Sequence, residues 1–396
     1  MKIALFTLYY VPLSVYGVER HNERLASYLS SKGHFVMVFT RGDRNFRGVQ
    51  YVNENYVIYR TPFIDLSQKI RCNKIQSFLK WIMLIFEYTL FSVILAPKFV
   101  KKFNLDILYG NGSYFGGWQA ALVHLLTKRP FVVVIHGSGV DYYKHYSTLP
   151  IMYHFLKWAA AIIVQKTSAI RILMKWGIPK EKIFYVEEGA VDTELFKPIA
   201  YAKSVSKHYI AFVGRLIKFK DPELLIEAAP LILREKQEAE FLFAGDGPLR
   251  PILEEKVKKL SLEKKVHFLG VVQDVRRIYH MSDVFVALSP YNNFSDLAML
   301  EAMSCGLPVV ATNSGETYKI IKDGWNGFLI EPKNAEQLKE KILLILNNPS
   351  LAKQLGKNAR KTVLENYSLN RFINETLWVL LSTFKTYLSK RTLKEN

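Results

Sequence analysis

The sequence predicts an α/β protein that contains two doubly wound parallel sheets. The chain has 396 residues, of which 49% are hydrophobic and 22% charged, and this length suits two hydrophobic cores better than one. Short apolar runs alternate with helical patterns through the first half, and the alternation starts again after a polar stretch at 197–207. Strands that alternate with helices pair in parallel, so each half predicts an open sheet covered by helices.

The first predicted domain spans residues 1–200. Its strands are expected at short apolar runs, and its helices where apolar residues recur with helical spacing. The predicted strands are 3–8, 35–40, 106–109, 131–135 and 161–164. The predicted helices are 18–31, which Gly33 ends, 78–96 and 151–160.

The second predicted domain spans residues 207–368 and follows an interdomain linker at 197–207. Its predicted strands are 208–213, 240–244, 266–269, 284–288 and 308–311. Its predicted helices are 222–234, 248–260, 275–281, 298–304 and 335–347. The stretch 369–388 predicts a long amphipathic helix with a basic tail up to residue 396. Two such sheets that face each other leave a cleft at the carboxyl ends of their strands, where α/β proteins bind ligands.

The formal net charge of +19 predicts an anionic partner. The sequence has no zinc-ligand spacing and no RNA-binding signature, so no nucleic acid is expected, and an anionic substrate or membrane surface is favoured. The two cysteines, Cys72 and Cys305, match no disulfide or metal pattern, which is typical of a cytoplasmic protein. Cys305 is expected to be a small core residue. The amino-terminal apolar stretch predicts a strand and not a signal peptide.

The segment 78–96 is the most apolar in the chain, and it allows two interpretations. Lys80 and Glu87 interrupt it, so its apolar run is too short to cross a bilayer. It is either a buried helix or a helix that dips into a membrane interface. In the second case the basic chain attaches peripherally to an anionic membrane. The anchors would be Trp81, Tyr88, Lys98, Lys101 and Lys102.

Two cations follow the first strand of the second domain. Arg215 comes directly after Gly214 at the strand end, and Lys220 lies five residues later, just before a helix. A guanidinium fork and an ammonium point charge on one loop suit the oxygens of a diphosphate. Solvated surface cations are the simpler alternative, but the strand, the glycine and the helix start around them favour a site.

A carboxylate and a polar loop lie further along the same domain. Glu301, on a helix with apolar neighbours, can accept two hydroxyl groups of a ribose, unless it is an exposed helical residue. The backbone N–H groups of the loop before this helix, together with the amino terminus of the helix, are predicted to form an anion site for the distal phosphate. The loop and helix residues in question are Asn293, Phe294, Ser295, Asp296 and Leu297. Asp246, between Gly245 and Gly247, either lines the nucleotide side of the cleft or forms a plain turn.

Two features of the first domain complete the predicted site. His136 follows the strand 131–135 and is placed to donate to a sugar hydroxyl or to exchange a proton. Gly17 precedes the first helix, where it lets the backbone approach a phosphate or an acceptor. The dinucleotide fingerprint with three glycines is absent after the first strand, which disfavours an oxidoreductase. No Asp-x-Asp pair occurs, so no metal is expected to bind the donor.

The chain resembles the retaining GT-B glycosyltransferases of family 4, a family that includes sucrose-phosphate synthases and phosphatidylinositol mannosyltransferases. The resemblance covers most of the chain. It rests on the Gly17 loop, Gly33-His34, His136-Gly137, the segment 189–198, Gly214-Arg215-Leu216 with Lys220, Gly245-Asp246-Gly247-Pro248 and the segment 300–310.

This resemblance implies two Rossmann-like domains and a carboxyl-terminal helix that crosses back to the first. It also implies that Arg215 and Lys220 neutralise the donor diphosphate, that Glu301 binds the ribose and that His136 touches the transferred sugar. The sugar would keep its anomeric configuration without a metal or other cofactor, and the leaving phosphate would help to deprotonate the acceptor.

The sequence departs from the family at several positions. Asn293 replaces the first of two glutamates that lie eight positions apart, and Ser295-Asp296 replaces a Phe-Gly pair. Lys319 occupies the position of a loop glutamate, and Glu187-Glu188 replaces a Pro-Asn pair. These changes affect the choice of donor sugar more than the fold.

The predicted function is transfer of a hexose from a nucleoside diphosphate sugar to a hydroxyl of a lipid-linked or surface-glycan acceptor. The protein would work on the cytoplasmic face of an anionic membrane. Two alternatives stay open. One is a nucleotide-sugar epimerase of the same fold, and the other is a catalytically silent subunit that binds glycan or membrane, which the presence of Asn293 suggests.

Overall fold

A computed structural model of the chain describes residues 1–12, 17–62, 74–136, 154–187, 191–199, 207–290 and 297–395. Its contacts divide the chain into two compact units. The first unit consists of Met1–Glu188 together with Phe372–Asn396, and the second consists of Gly189–Arg371.

The described strands of the first unit form one eight-stranded sheet in the order β3-β4-β2-β1-β5-β6-β7-β8. All neighbours in it are parallel except β3 and β4. The strands are β1 Lys2–Phe6, β2 Phe35–Thr40, β3 Gly48–Asn53, β4 Tyr56–Arg60, β5 Ile107–Asn111, β6 Phe131–Ile135, β7 Ala161–Val164 and β8 Ile183–Tyr185.

The centre of this sheet is buried on both faces, because helices cover it. Strands β5, β6 and β7 have only buried residues, as their continuous apolar sequences require. Phe6 and Phe39 stack at 4.9 Å between ring centroids on adjacent strands. The described helices that complete this unit are α1 Gly17–Ser31, α2 Lys74–Lys102, α3 Trp118–Thr127, α4 Thr167–Lys175 and α12 Leu369–Glu395, which begins in the second unit.

In the second unit the described strands form a six-stranded sheet, parallel throughout, in the order β11-β10-β9-β12-β13-β14. The strands are β9 His208–Val213, β10 Ala239–Ala244, β11 Val266–Gly270, β12 Val284–Ala287, β13 Val309–Thr312 and β14 Phe328–Ile330. The helices are α5 Pro222–Leu233, α6 Arg250–Lys259, α7 Arg276–Met281, α8 Leu297–Ser304, α9 Thr317–Ile320, α10 Ala335–Asn347 and α11 Pro349–Asn366. The predicted fold class is confirmed, since both sheets are doubly wound.

Several elements differ from the sequence prediction. Strands β3, β4, β8 and β14 were not predicted; β8 and β14 have only three residues, and β3 is an exposed edge strand with little apolar pattern. The helix predicted at 151–160 is shorter in its described part: His154 is helical, a 3-10 turn covers Phe155–Trp158, and residues 159–160 lead into β7 outside any helix. The predicted linker at 197–207 stays a prediction.

The apolar segment at 78–96 lies inside the longer helix α2, and part of it is buried. Tyr88 is fully buried and its hydroxyl donates to the carbonyl oxygen of Phe39 at 2.9 Å, so its suggested role as an interface anchor is wrong. Glu87 is also buried, 3.6 Å from the guanidinium of Arg41. The side chain of Trp81 lies outside the described residues. None of the helices, as far as the structure describes them, is long and apolar enough to cross a membrane.

A glycine contact joins α8 to α11 in the second unit. A Cβ added to Gly356 would overlap the carbonyl oxygen of Gly306, which follows α8 with φ = +77°. We predict that Gly356→Ala lowers the free energy of unfolding by about 1–3 kcal/mol, the usual cost of overpacking. Helix propensity alone would raise the free energy of unfolding by about 0.5–1 kcal/mol. The sign of the measured change therefore shows which of the two effects dominates.

The measurement is urea denaturation of the full chain, with Lys357→Ala as the control. Lys357 is the next residue on α11 and is exposed, so its substitution should change stability little. A Gly356→Ala variant as stable as the wild type would show that the two backbones are not in contact.

Candidate functional site

The strand order of the second unit marks where a ligand is expected. Strand β9 is the first of its sheet and lies between β10 and β12, so successive strands are added in opposite directions on its two sides. Open α/β sheets bind ligands outside the carboxyl ends of the strands at such a switch point. Here the two ends are Gly214 after β9 and Leu288 after β12, and the predicted cations follow the first of them.

The loop after β9 packs backbone to backbone on the loop after β10. The Gly214 N–H donates to the carbonyl oxygen of Ala244 at 3.0 Å, and the Leu216 N–H donates to that of Asp246 at 3.0 Å. A Cβ on Gly245, whose φ is +145°, would overlap the carbonyl oxygen of Gly214. Glycine is therefore required at position 245, because a side chain would separate the loops.

The second glycine of the β10 loop makes the same kind of contact. A Cβ on Gly247 would lie 2.5 Å from the carbonyl oxygen of Leu216. The Leu249 N–H closes the arrangement by donating to that carbonyl at 3.1 Å. The spacing Gly245-x-Gly247 thus fixes the path of residues 214–216, and with it the base of the Arg215 side chain.

Arg215 is exposed and Lys220 is partly buried. The guanidinium of Arg215 makes no ion pair or hydrogen bond with the residues that the structure describes, so its donors are available to a ligand. Lys220 ends a 3-10 turn, Lys218–Lys220, in which its N–H donates to the Ile217 carbonyl at 2.9 Å. Both cations therefore lie on one short loop beside the switch point.

Two contacts fix this turn from outside. The hydroxyl of Ser289, after β12, donates to the carbonyl oxygen of Phe219 at 2.8 Å, and so joins the loops on both sides of the switch point. Asp221 is buried with φ = +46°, and its carboxylate accepts from Lys333 Nζ at 2.8 Å. That hydrogen bond raises the pKa of Lys333. Ser289 and Lys333 were not predicted from the sequence, since both are distant in the chain from the residues that they contact.

Glu301 lies in the middle of α8 and is half-buried. Its Oε2 accepts from the hydroxyl of Tyr279 at 3.1 Å, and Tyr279 is itself buried with its ring edge-on to Phe285. Tyr279 thus orients the carboxylate, a role that the sequence analysis missed. Burial, together with this carboxylate, raises the pKa of Cys305 to about 12, as suits the inert core residue that was expected.

Of the other predicted residues of this unit, the structure describes Leu297 and Asp246. Leu297 is the first residue of α8, and the residues before it lie outside the described part of the chain: Asn293, Phe294, Ser295 and Asp296. The Asp246 carboxylate accepts from the Gly247 N–H at 2.7 Å and from Arg250 at 3.1 Å, which gives it a turn-forming role. A nucleotide contact of Asp246 stays a prediction.

The first unit has a row of polar residues at the carboxyl edge of its sheet. Thr7, Asn111, His136 and Gln165 each lie at or directly after the end of one of four adjacent strands, β1, β5, β6 and β7. All are buried except His136, which is partly buried. Buried polar groups at strand ends need partners, and these groups supply them to one another.

The hydrogen bonds of this row have a fixed direction. The Thr7 hydroxyl donates to the backbone carbonyl of Tyr9 at 3.1 Å, and a carbonyl can only accept. Thr7 Oγ1 then accepts from Asn22 Nδ2 at 3.3 Å, which turns Asn22 Oδ1 towards Asn111 Nδ2. Asn111 Oδ1 is left to face His136 Nε2, so that nitrogen must carry a proton.

His136 is therefore the Nε2–H tautomer when it is neutral. Burial lowers the pKa of its imidazole, and the hydrogen bond to Gln165 opposes this. Nδ1 lies 2.8 Å from Gln165 Oε1, while Gln165 Nε2 is buried and has no partner among the described residues. Rotation of this amide by 180° lets Nε2 donate to Nδ1 of the neutral ring. Asn22, Asn111 and Gln165 were missed, because isolated amides carry no sequence motif.

Glycines also shape the backbone at this edge. Gly17 is the first residue of α1, and the loop before it lies outside the described residues. After β5 the chain makes a π-helical turn, Gly112–Gly117, in which a Cβ on Gly116 would overlap the carbonyl oxygen of Phe6. Turns of this kind are common at functional sites. Within the described parts of both units, no group of three or more His, Cys, Asp or Glu residues could bind a metal.

Comparison with known proteins places these features in a family. The sequence profile described as "Glycosyl transferases group 1" matches residues 196–362, and that of "Glycosyltransferase Family 4" matches residues 15–195. An uncharacterised glycosyltransferase of Methanocaldococcus jannaschii is 30% identical over 95% of this chain and 97% of its own length. The chain belongs to the group 1 glycosyltransferases.

Two further similarities extend the comparison. A phosphatidylinositol N-acetylglucosaminyltransferase component of Arabidopsis thaliana is 27% identical over 78% of this chain and 66% of its own length. The crystal structure of Anabaena HepE in complex with UDP-glucose has a TM-score of 0.74 and 18% identity, and covers 96% of this chain and all of that one. The likeness shows the shared fold, and this glycosyltransferase has the two Rossmann-like domains of the GT-B class.

The low pKa of His136 predicts a pH dependence of stability. In the unfolded chain the imidazole binds a proton near its ordinary pKa of 6.5. In the folded glycosyltransferase it binds the proton only at a lower pH. Stability from this group is complete above pH 6.5 and is lost below it, by at most about 1.4 kcal/mol per pH unit. The stability advantage of the wild type over His136→Gln should therefore shrink between pH 7.5 and pH 5.5.

Urea denaturation of both proteins at the two pH values measures this difference, and other titrating groups cancel in it. A constant or growing advantage on acidification would show that the folded state accepts the proton readily.

Proposed function

We propose that this glycosyltransferase moves a hexose from a nucleoside diphosphate sugar to a hydroxyl group, with retention of the anomeric configuration and without a metal. The observation that carries the proposal is the position of Arg215 and Lys220 on one braced loop at the switch point, with Glu301 on the helix after the neighbouring strand. The crystal structure of HepE with UDP-glucose supports a nucleotide sugar as the donor.

The two cations would act on the leaving group. As the bond from the anomeric carbon to the diphosphate oxygen breaks, negative charge grows on the diphosphate, and Arg215 and Lys220 stabilise it. The acceptor oxygen forms the new bond on the same face of the sugar, and its proton passes to the leaving phosphate. The bracing of the loop by Ser289 and Asp221 matters here, since a preorganised charge costs no reorganisation during the reaction.

Glu301 would bind the ribose of the donor. A carboxylate can accept about four hydrogen bonds, and Tyr279 supplies one of them. Two ribose hydroxyls can donate to the same group. Because Tyr279 is buried and fixed by packing, it orients the carboxylate before the donor arrives.

His136 and the amide row would form the wall of the sugar site in the first unit. A neutral Nε2–H donor is suited to hydrogen bonding with a hydroxyl and not to binding a phosphate. The Nε2–H of His136 already donates to Asn111 Oδ1. To bind a sugar hydroxyl as well, it would form a bifurcated hydrogen bond with both acceptors. We infer a role in positioning for Gln165 and Asn111, and propose that Asn293, in place of the usual glutamate, alters the choice of sugar.

The acceptor is proposed to be lipid-linked or part of a surface glycan, on the cytoplasmic face of an anionic membrane. Among its described side chains, helix α2 presents four exposed apolar residues with helical spacing, followed by exposed lysines. They are Met83, Phe86, Leu90 and Ile94, and then Lys98, Lys101 and Lys102. An apolar stripe that ends in cations suits the interface of a bilayer with anionic headgroups. The name of the Arabidopsis relative, which mentions phosphatidylinositol, supports a lipid acceptor.

A thermal-shift screen with a panel of nucleotide sugars, followed by a transfer assay with the stabilising donor, tests the proposed function. Transfer of label to an acceptor supports it. The family assignment does not favour the epimerase or the silent subunit. A change of the donor without an acceptor would support the epimerase, and donor binding without turnover would support the silent subunit.

We predict that Arg215→Gln and Lys220→Gln each lower kcat about 10²–10³-fold, because each removes one charge from the developing diphosphate. The control is Lys218→Gln, an exposed lysine on the same turn, which should retain wild-type kcat. The assay is initial-rate transfer at saturating donor. Wild-type rates in both variants, or an equal loss in the control, would remove these residues from the mechanism.

We predict that Glu301→Gln raises the KM for the donor about 10-fold or more and changes kcat little, since hydrogen bonds to a charged group contribute about 1.5–3 kcal/mol. Glutamine keeps an acceptor for Tyr279, so folding should survive. Steady-state kinetics on this variant and on Glu365→Gln, an exposed glutamate of α11, give the comparison. An unchanged KM in Glu301→Gln would show that the ribose binds elsewhere.

A further inference from the structure

A basic groove lies in the first unit, away from the residues of the proposed transfer site. Its volume is about 920 Å³, and among the described residues that line it five are cations and none is acidic. The ends of α2 and α12 and the turn after α3 form its walls. The cations are Lys101, Lys128, Arg129, Lys390 and Arg391.

The groove lies at the opposite edge of the sheet from His136. Helix α2 ends at Lys102, shortly before β5 begins at Ile107, and α3 ends at Thr127, shortly before β6 begins at Phe131. The ends of these helices therefore lie near the amino ends of β5 and β6. Asn111 and His136 lie at the carboxyl ends of the same two strands, so the groove is a separate site.

Four of the five cations have no acidic partner among the described residues. Lys101, Lys128 and Lys390 make no ion pair there, and the guanidinium of Arg129 donates to the neutral amide oxygen of Asn104 at 2.7 Å. By contrast, Lys256 of the second unit lies between two glutamates at 2.6 and 2.8 Å. Unpaired cations around a concave surface attract an anion, because they repel one another until it binds.

Two observations show that the groove is a built feature. The hydroxyl of Tyr387, on α12, donates to the carbonyl oxygen of Lys128 at 2.8 Å and fixes one wall against the other. Lys128 caps α3 with φ = +59°, an uncommon conformation for a lysine. Burial and then the nearby Lys390 ammonium lower the pKa of Lys182, which agrees with an excess of positive charge at this end of the unit.

We propose that this groove binds a phosphate group, carried either by the headgroup of an anionic lipid or by a free polyphosphate. Several cations without a carboxylate match a phosphate, whose oxygens accept from both Lys and Arg. Val100, Leu393 and the aliphatic stems of the lysines give the groove an apolar side, which fits an amphiphile. The exposed apolar stripe of α2 runs along the helix to Lys101, so a lipid surface would reach both features together.

The test compares the full-length wild type with two paired variants. Lys101→Gln with Lys390→Gln removes two charges from the groove. Lys175→Gln with Lys385→Gln removes two exposed charges from helices of the same unit outside the groove lining, and serves as the control. One arm measures flotation with phosphatidylcholine vesicles that contain phosphatidylglycerol, and the other measures calorimetric binding of inorganic pyrophosphate.

We expect the groove pair to weaken binding at least tenfold in one arm and the control pair to change it less than twofold. Loss in the vesicle arm identifies a lipid headgroup, and loss in the pyrophosphate arm identifies a free polyphosphate. Equal weakening by both pairs, or unchanged binding in the groove pair, would overturn the proposal. Thermal unfolding of both pairs checks that they fold, and the outcome is independent of transfer activity.

Discussion

The contact on which the second unit depends is the direct packing of two backbones after adjacent strands. The loops that follow β9 and β10 approach so closely that a methyl group on Gly245 would overlap the Gly214 carbonyl. This proximity fixes residues 214–216 and therefore the root of the Arg215 side chain, without any contact to its guanidinium. The charged end is left for a ligand while its base is rigid, and this combination is what stabilisation of a developing charge requires.

The first unit reaches rigidity by a different route. Amides, a hydroxyl and an imidazole form a chain of hydrogen bonds along its strand ends. Each group donates to the next, from His136 through Asn111, Asn22 and Thr7 to the Tyr9 carbonyl. One backbone acceptor thus decides the tautomer of a ring further across the sheet. Substitution of Asn22, whose side chain on α1 is hydrogen-bonded to Thr7 and Asn111, would act on His136 through Asn111.

The sequence predicts the fold and the loops of the site better than it predicts their support. Buried parallel strands such as β5, β6 and β10 appear as continuous apolar runs, and Gly214 and Gly245 mark turns whatever they contact. Edge strand β3 carries no such signal, since its residues are exposed. Tyr279, Ser289 and Lys333 act on Glu301 and on the 218–220 turn through contacts over 22, 70 and 112 residues, and no local pattern reveals them.

The same topology accounts for the two proposed sites at opposite edges of one sheet. In a doubly wound sheet every strand brings a loop to its carboxyl edge and every covering helix ends near the amino edge of the next strand. Cations near helix carboxyl termini are favoured by the helix dipole, so Lys101, Lys128 and Arg129 can gather there at little cost to stability. A lysine that only stabilised the helix dipole could lie anywhere around the helix end. These cations instead line one concave surface, which α12 closes on one side. Convergence, and not the number of charges, is the feature that separates a binding site from a solvated helix end.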